Sequence, residues 1–144
     1  MDADVPPTIA RYNKGPLRLL GWGVPMGPLR LLRTRGPRTG RAHVVPIAVL
    51  RHRGREWLVS PLGSTRWVRD VRATGTAELG RGHDYRAVDL TEIDDRTKIG
   101  VLRAYRRRFR LVPFVWRAFT ARPGDPPEVY VAESDRHPVF LVHA

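Results

Sequence analysis

The sequence predicts a small, mostly antiparallel β-barrel carrying a few helices, an α+β fold. Three observations lead there. The apolar runs are mostly short and separated by glycine-bearing turns. Helical periodicity is confined to a brief stretch after Ser64 and a longer one after Asp94, so strands mostly follow strands, unlike a doubly wound sheet. The 144 residues are the length of one domain, enough to bury a core without a disulfide or metal.

The elements follow in order. Residues 1–15 lack periodicity and are expected to form a flexible N-terminus ahead of a single domain over 16–144. Pro16 to Leu32 is apolar but broken by Gly21, Gly23, Pro25, Gly27 and Pro28, which excludes one long helix. A first strand begins at Leu29, and Thr34–Arg41 is a tight basic turn. His43–Leu50 reads as a strand covered on both faces, with Pro46 marking a bulge or an edge. Arg53-Gly54 turns a hairpin into a third strand, Arg55–Val59. After the Ser60–Ser64 loop, Ser64 or Thr65 caps a short helix closed by Gly75. There Trp67, Val68 and Val71 share a face opposite Arg66, Arg69 and Arg72.

Thr76–Leu79 and Tyr85–Leu90 read as two more strands, joined through Gly80 and Gly82. Thr91 or Asp94 caps a longer helix whose apolar stripe is Ile99, Leu102, Tyr105 and Phe109. Its last turns carry Arg103, Arg106, Arg107, Arg108 and Arg110, where cations suit the helix dipole. Pro113 ends it, and Phe114–Phe119 adds a turn or two. Glu128–Glu133 and Pro138–Val142 read as terminal strands.

Lys and Arg number 26 against 14 acidic residues, a formal net charge of +12. All but Lys14 and Lys98 of these cations are arginine. GC-rich coding accounts for arginine over lysine but not for the excess of positive charge. That excess points to an anionic partner: nucleic acid, a phosphate-bearing cofactor or a lipid headgroup. With no cysteine, thiolate metal sites and cysteine nucleophiles are excluded. No HExxH, EF-hand, P-loop or GxSxG pattern is present. No apolar run is long enough for a spanning helix, and the N-terminus lacks a secretory signature. A cytoplasmic protein is expected. The apolar residues of 16–32, with Trp22 and the flanking Arg11, Lys14, Arg18, Arg30, Arg33 and Arg35, either dock on the anionic inner face of the cell membrane or cover the barrel's open end.

The Thr34–His43 segment is the sharpest local feature. Gly36 and Gly40 free the backbone to turn, so its amides can form an anion nest; Arg38 adds a planar fork and Thr39 a hydroxyl. The alternative is an exposed basic hairpin without a ligand.

Thr34-Arg-Gly-Pro-Arg-Thr-Gly40 followed by His43-Val-Val-Pro-Ile47 resembles the signature of deazaflavin (F420)-dependent nitroreductase-type oxidoreductases. Ser60-Pro-Leu-Gly63, Trp67-Val-Arg-Asp-Val-Arg-Ala73 and Ser134–Phe140 resemble later segments of that family, in order, over residues 29–142. The resemblance implies a split β-barrel of the FMN-binding/pyridoxamine-phosphate-oxidase type that binds reduced F420, rather than FMN. It implies that Arg38, Thr39, Gly40, Arg41 and His43 hold the cofactor's phosphate and acidic tail. It places the deazaflavin against Pro46, Ala48, Leu58, Ser60, Pro61, Leu62 and Gly63, with Trp67 and Asp70 near it. In such a protein the cofactor carries the chemistry and the chain orients it.

The chain departs from the family pattern at Pro37, Arg38, His43, Pro61 and Asp70, which weakens several anion donors. These departures suit the lipid-binding branch of the family. The expected activity is hydride transfer from F420H2 to an activated acceptor: an enone, a quinone or a nitroaromatic. Ser60 is the candidate for polarising a carbonyl and Tyr105 for protonation. Against these roles, Ser60 can simply shape its turn, while Trp67 and Tyr105 can be core. The alternative functions are a non-catalytic fatty-acid or lipid carrier on the same barrel and, through Arg103–Arg110, a nucleic-acid-binding domain. A homodimer is expected by fold analogy alone.

Overall fold

Six strands close into a barrel in the computed structural model, which describes residues 28–81 and 83–143. The strands are β1 (Leu29–Arg35), β2 (Ala42–His52), β3 (Arg55–Val59), β4 (Thr76–Arg81), β5 (Asp84–Glu92) and β6 (Val139–His143). They run in the order β1-β2-β3-β6-β5-β4, every pair antiparallel, and β4 returns to pair with β1. The helices are α1 (Arg66–Thr74), α2 (Arg96–Arg108), α3 (Pro113–Ala118) and α4 (Pro127–Glu133), the last leading into a single 3-10 turn at Ser134–Arg136. The expectations for residues 1–27 lie outside the described residues.

Alternation along the strands builds two cores. Leu32, Ile47, Val49, Leu58, Leu79, Val88, Leu90 and Phe140 fill the barrel, and α1 adds Trp67, Val68 and Val71. A second core lies between the barrel wall (Leu50, Trp57, Val59, Val139, Leu141) and the helices, which contribute Leu102, Tyr105, Val115 and Tyr130.

Pro46 is accommodated without a bulge. β2 pairs with β1 along its length, Pro46 opposite Leu31, whereas β3 joins β2 only from Val49 onward. Pro46 therefore has a strand neighbour on one side only, and its missing N–H leaves no ladder bond unmet. The same gap opens the barrel wall beside the site described below.

Three local expectations change. The longer helix is capped by Asp95, whose side chain accepts from Thr97 N at 2.9 Å, not by Thr91 or Asp94. Thr65 is the N-cap of α1, yet its side chain makes no capping bond. Glu128–Glu133 is helix, not strand. Pro127 sits at the first helical position, Glu128 suits the positive helix end, and the buried residues Tyr130, Glu133 and His137 recur at three and four. The Val-Tyr-Val alternation that suggests a strand is overridden by that spacing.

The β4–β5 hairpin depends on Gly80. A Cβ there would lie 2.0 Å from the Asp84 carbonyl oxygen. Gly80→Ala is therefore expected to force the strands apart and lower stability by about 1–3 kcal/mol, read as a shift in the denaturant midpoint.

Candidate active site

A cavity of about 620 Å³ lies in the gap beside β2. One wall is Pro46 and Ala48 of β2, and the next is the Ser60–Leu62 loop with Thr65, Arg66 and Trp67 at the start of α1. Across from them stand Tyr105, Arg108 and Phe109 of α2 and the 110–115 segment leading into α3. Leu111 at this opening is 76% exposed.

Few polar groups reach this apolar space. Tyr105 is 3% exposed, and its hydroxyl has no hydrogen-bond partner among the described residues. Burial raises its pKa, so the phenol keeps its proton. Ser60 also lines the cavity, but its hydroxyl donates to Gly63 O at 2.6 Å. That proton is committed to shaping the loop, so the carbonyl-polarising role assigned to Ser60 is withdrawn.

The basic turn is built differently from an open nest. Gly36 N donates to Arg41 O, Gly40 N to Gly36 O, and Arg41 N to Thr39 Oγ1, so the turn uses these amides itself. Arg38, Thr39, Gly40 and Arg41 are exposed and stand outside the cavity lining. Arg38 has no partner among the described residues. Any anion contact here comes from the side chains.

His43 and Asp70 belong to a network behind the wall. Thr34 Oγ1 donates to Asp70 Oδ2 at 2.8 Å, and His43 Nδ1 lies 3.3 Å from the same oxygen. Arg66 Nη1 approaches His43 Nε2 at 2.5 Å. With Asp70 accepting from Nδ1–H, Nε2 is left as the acceptor for Arg66. The pair thus steers Arg66 instead of facing the cavity. Leu58 is fully buried in the barrel core and does not line the cavity. Gly63, at φ 88°, shapes the loop through its backbone. Trp67 does both jobs weighed for it: it lines the cavity and packs on Phe140 at 5.5 Å between ring centres.

A buried pair ties the cavity's two sides together. Glu133 and His137 are 2% and 1% exposed. His137 Nδ1 meets the Pro61 carbonyl at 2.9 Å, and Nε2 meets Glu133 Oε1 at 2.7 Å. Both partners offer acceptor oxygens, so each ring nitrogen is placed where an N–H can donate. Glu133 also accepts from Thr120 N and Ala121 N, just beyond α3. Burial alone would raise the Glu133 pKa. The hydrogen bonds from His137, Thr120 and Ala121 outweigh it and leave the carboxyl below its ordinary value. Phe119 stacks on His137 at 3.9 Å.

Sequence reading missed Arg66, Arg108 and the Glu133–His137 pair. Arg66 counted only as part of a polar helix stripe. The acid–histidine spacing of four becomes a signal only once residues 127–133 are read as helix.

A family model described as F420H(2)-dependent quinone reductase matches residues 8–111. The chain belongs to this family. It is an oxidoreductase that takes its reducing equivalents from F420H2, and its cofactor is coenzyme F420. No curated protein matches the chain. Among solved structures, an F420-H2 dependent reductase, FDR-A, is 16% identical, with a TM-score of 0.55, covering 81% of this chain and 94% of its own. A structure described as a domain-swapped dimer is 17% identical, with a TM-score of 0.58 over 96% of this chain and 100% of its own. A pyridoxamine 5'-phosphate oxidase-related, FMN-binding protein from Nostoc punctiforme is 13% identical, with a TM-score of 0.55 over 90% and 78%. At these identities the likeness establishes the split-barrel fold.

The site's chemistry fits such a cofactor. A flat deazaflavin ring needs apolar walls, which Pro46, Ala48, Leu62 and Trp67 supply. Its phosphate and carboxylates need cations and hydroxyl donors. Arg66 and Arg108 stand in the lining, beside a Thr65 hydroxyl left without a partner.

Proposed function

We propose that the protein reduces a quinone-like acceptor, or an enone or nitroaromatic of similar shape, inside the 620 Å³ cavity. The observation that carries this reading is the buried Tyr105 hydroxyl, without a hydrogen-bond partner among the described residues, in a lining that is mostly apolar. Bound F420H2 supplies the hydride. Pro46, Ala48, Pro61, Leu62 and Trp67 hold the ring, and the apolar walls exclude water. Tyr105 gives its phenolic proton to the acceptor oxygen as negative charge develops there. The side chains of Arg38, Thr39 and Arg41 meet the cofactor's acidic tail outside the cavity. A fluorescence titration should show F420 binding in preference to FMN; micromolar FMN binding with no F420 signal rejects the assignment. Arg38→Ala should weaken F420 binding by about 1.5–3 kcal/mol, while Arg38→Lys keeps part of the affinity.

Among the described residues no helix is long and apolar enough to cross a membrane. We place the protein in the cytoplasm, with peripheral contact at the inner membrane face. The cavity supports this: Arg108, Arg110 and the exposed Leu111 line it, and the 47%-exposed Trp116 and Arg117 follow in α3. Sedimentation with anionic vesicles should carry the protein down at low salt and release part of it at high salt. A homodimer is proposed by analogy with the domain-swapped neighbour and is read by sedimentation equilibrium.

A further inference from the structure

The interior face of the barrel changes character at one end. On β1 Arg30 lies two positions before Leu32, and on β3 Glu56 lies two before Leu58. On β4 Arg81 lies two beyond Leu79, and on β5 Arg86 lies two before Val88. Residues two apart on a strand share a face, so these four continue the inward rows of the core. The ladder agrees: Arg30 sits opposite Ile47 and Arg86 opposite Leu79, both core residues. With Val49 and Leu79 beneath them they line a second cavity of about 380 Å³. It shares no lining residue with the first. Leu29 and Ala48, a ladder pair, face the first cavity; the next residues along, Arg30 and Val49, face this one.

Arginines can close a barrel end when each meets a carboxylate, but here the charges do not balance. Arg86 Nη2 pairs with Glu56 Oε1 at 2.7 Å. Asp84 sits opposite Arg81 in the ladder, yet it is exposed and no ion pair joins the two. Arg81 has neither a hydrogen bond nor an ion pair among the described residues, and its Nε is shut off from water. Such a buried donor is a standing cost. Burial and the Arg81 charge lower the Arg30 pKa; Glu56 opposes them and Arg86 adds to them. An anion among these guanidiniums would relieve the repulsion and accept from the Arg81 Nε–H.

The lining also selects the kind of anion. The Nε–H of Arg81 and the neighbouring Nη–H form the fork that matches the two oxygens of a carboxylate. The floor of Val49 and Leu79 is apolar, which favours a short hydrocarbon body over a bare inorganic ion. The volume lies within the usual range for small-molecule sites, about 300–1,000 Å³. We propose that this end of the barrel binds a small organic carboxylate, its oxygens on Arg81 and Arg30 and its apolar body on Val49 and Leu79. The site is independent of the cofactor placement proposed above.

Benzoate is the probe, titrated at constant ionic strength into ¹⁵N-labelled full-length protein. The Arg81 Nε–H resonance and the backbone amides of Arg81 and Arg86 should shift saturably, with a midpoint on the order of millimolar. Benzamide, of the same shape without the charge, should leave them in place. Inorganic phosphate should bind about tenfold more weakly, since it cannot use the apolar floor. Arg81→Gln should weaken benzoate by about tenfold or more, and Arg81→Lys by less, because the charge survives but the fork does not. Arg81→Gln should melt no lower than the parent, since it removes a charge that repels Arg30, so lost binding is not misread as lost fold. Saturating F420 should leave the benzoate shifts intact. The site is rejected if no saturable shift appears by about 50 mM benzoate, or if benzamide or phosphate binds as tightly. Unchanged binding in Arg81→Gln, or displacement of benzoate by F420, rejects it equally. Failure of F420 to bind would overturn the function proposed above and leave this test standing.

Discussion

Glu133→Ala and His137→Ala are each expected to lower stability by about 3–5 kcal/mol, because either change strands a buried partner. Each residue is almost fully buried, and together they make three hydrogen bonds to other groups besides the one between them. Chemical denaturation followed by Trp fluorescence measures the loss. An effect below about 1 kcal/mol would show that the pair contributes little beyond packing. The pH dependence has a definite sign. The folded Glu133 carboxyl titrates below its ordinary 4.5. Between the two values the unfolded chain binds more protons, so stability rises with pH there. The contribution is complete above the unfolded value and disappears as pH falls through the folded one. Glu133→Gln should flatten that acid limb of the stability curve.

Tyr105→Phe is expected to cut kcat for quinone reduction by about 10²-fold, the usual scale for losing a positioned proton donor. F420 affinity should change by no more than about twofold, since the ring remains to pack against Phe109 and Phe119. Because burial holds the Tyr105 phenol above its ordinary 10.0, the parent should show no alkaline decline assignable to this group up to pH 10. An unchanged kcat in the phenylalanine variant would move proton delivery to water or to Arg108. Comparable loss of cofactor affinity and kcat would instead mark Tyr105 as part of the binding wall.

Barrel strands were legible because each is short, punctuated and alternating. Arg53-Gly54, with both residues at positive φ, and Gly75 closing α1 are local chemistry that needs no tertiary partner. The terminal helix was not legible. Val129, Tyr130 and Val131 favour a strand in isolation, and only burial of Tyr130, Glu133 and His137 against α2 and the loops selects a helix.

The candidate site divides in the same way. By itself the sequence determined the barrel class and carried, at Thr34–His43 and Ser60–Gly63, the family resemblance that implies F420 dependence; the glycines, prolines and spacing of those motifs are local properties. Only the tertiary structure decided which of those residues face the cavity. Pro46 and Ala48 do, whereas Leu58, of the same apolar character, turns into the barrel core because side chains alternate along a strand. His43 and Asp70, 27 positions apart, share a hydrogen bond that holds Arg66 in the wall. His137 grips Pro61 from 76 positions away. Such pairings depend on how the chain closes on itself, and no local pattern in the sequence encodes them.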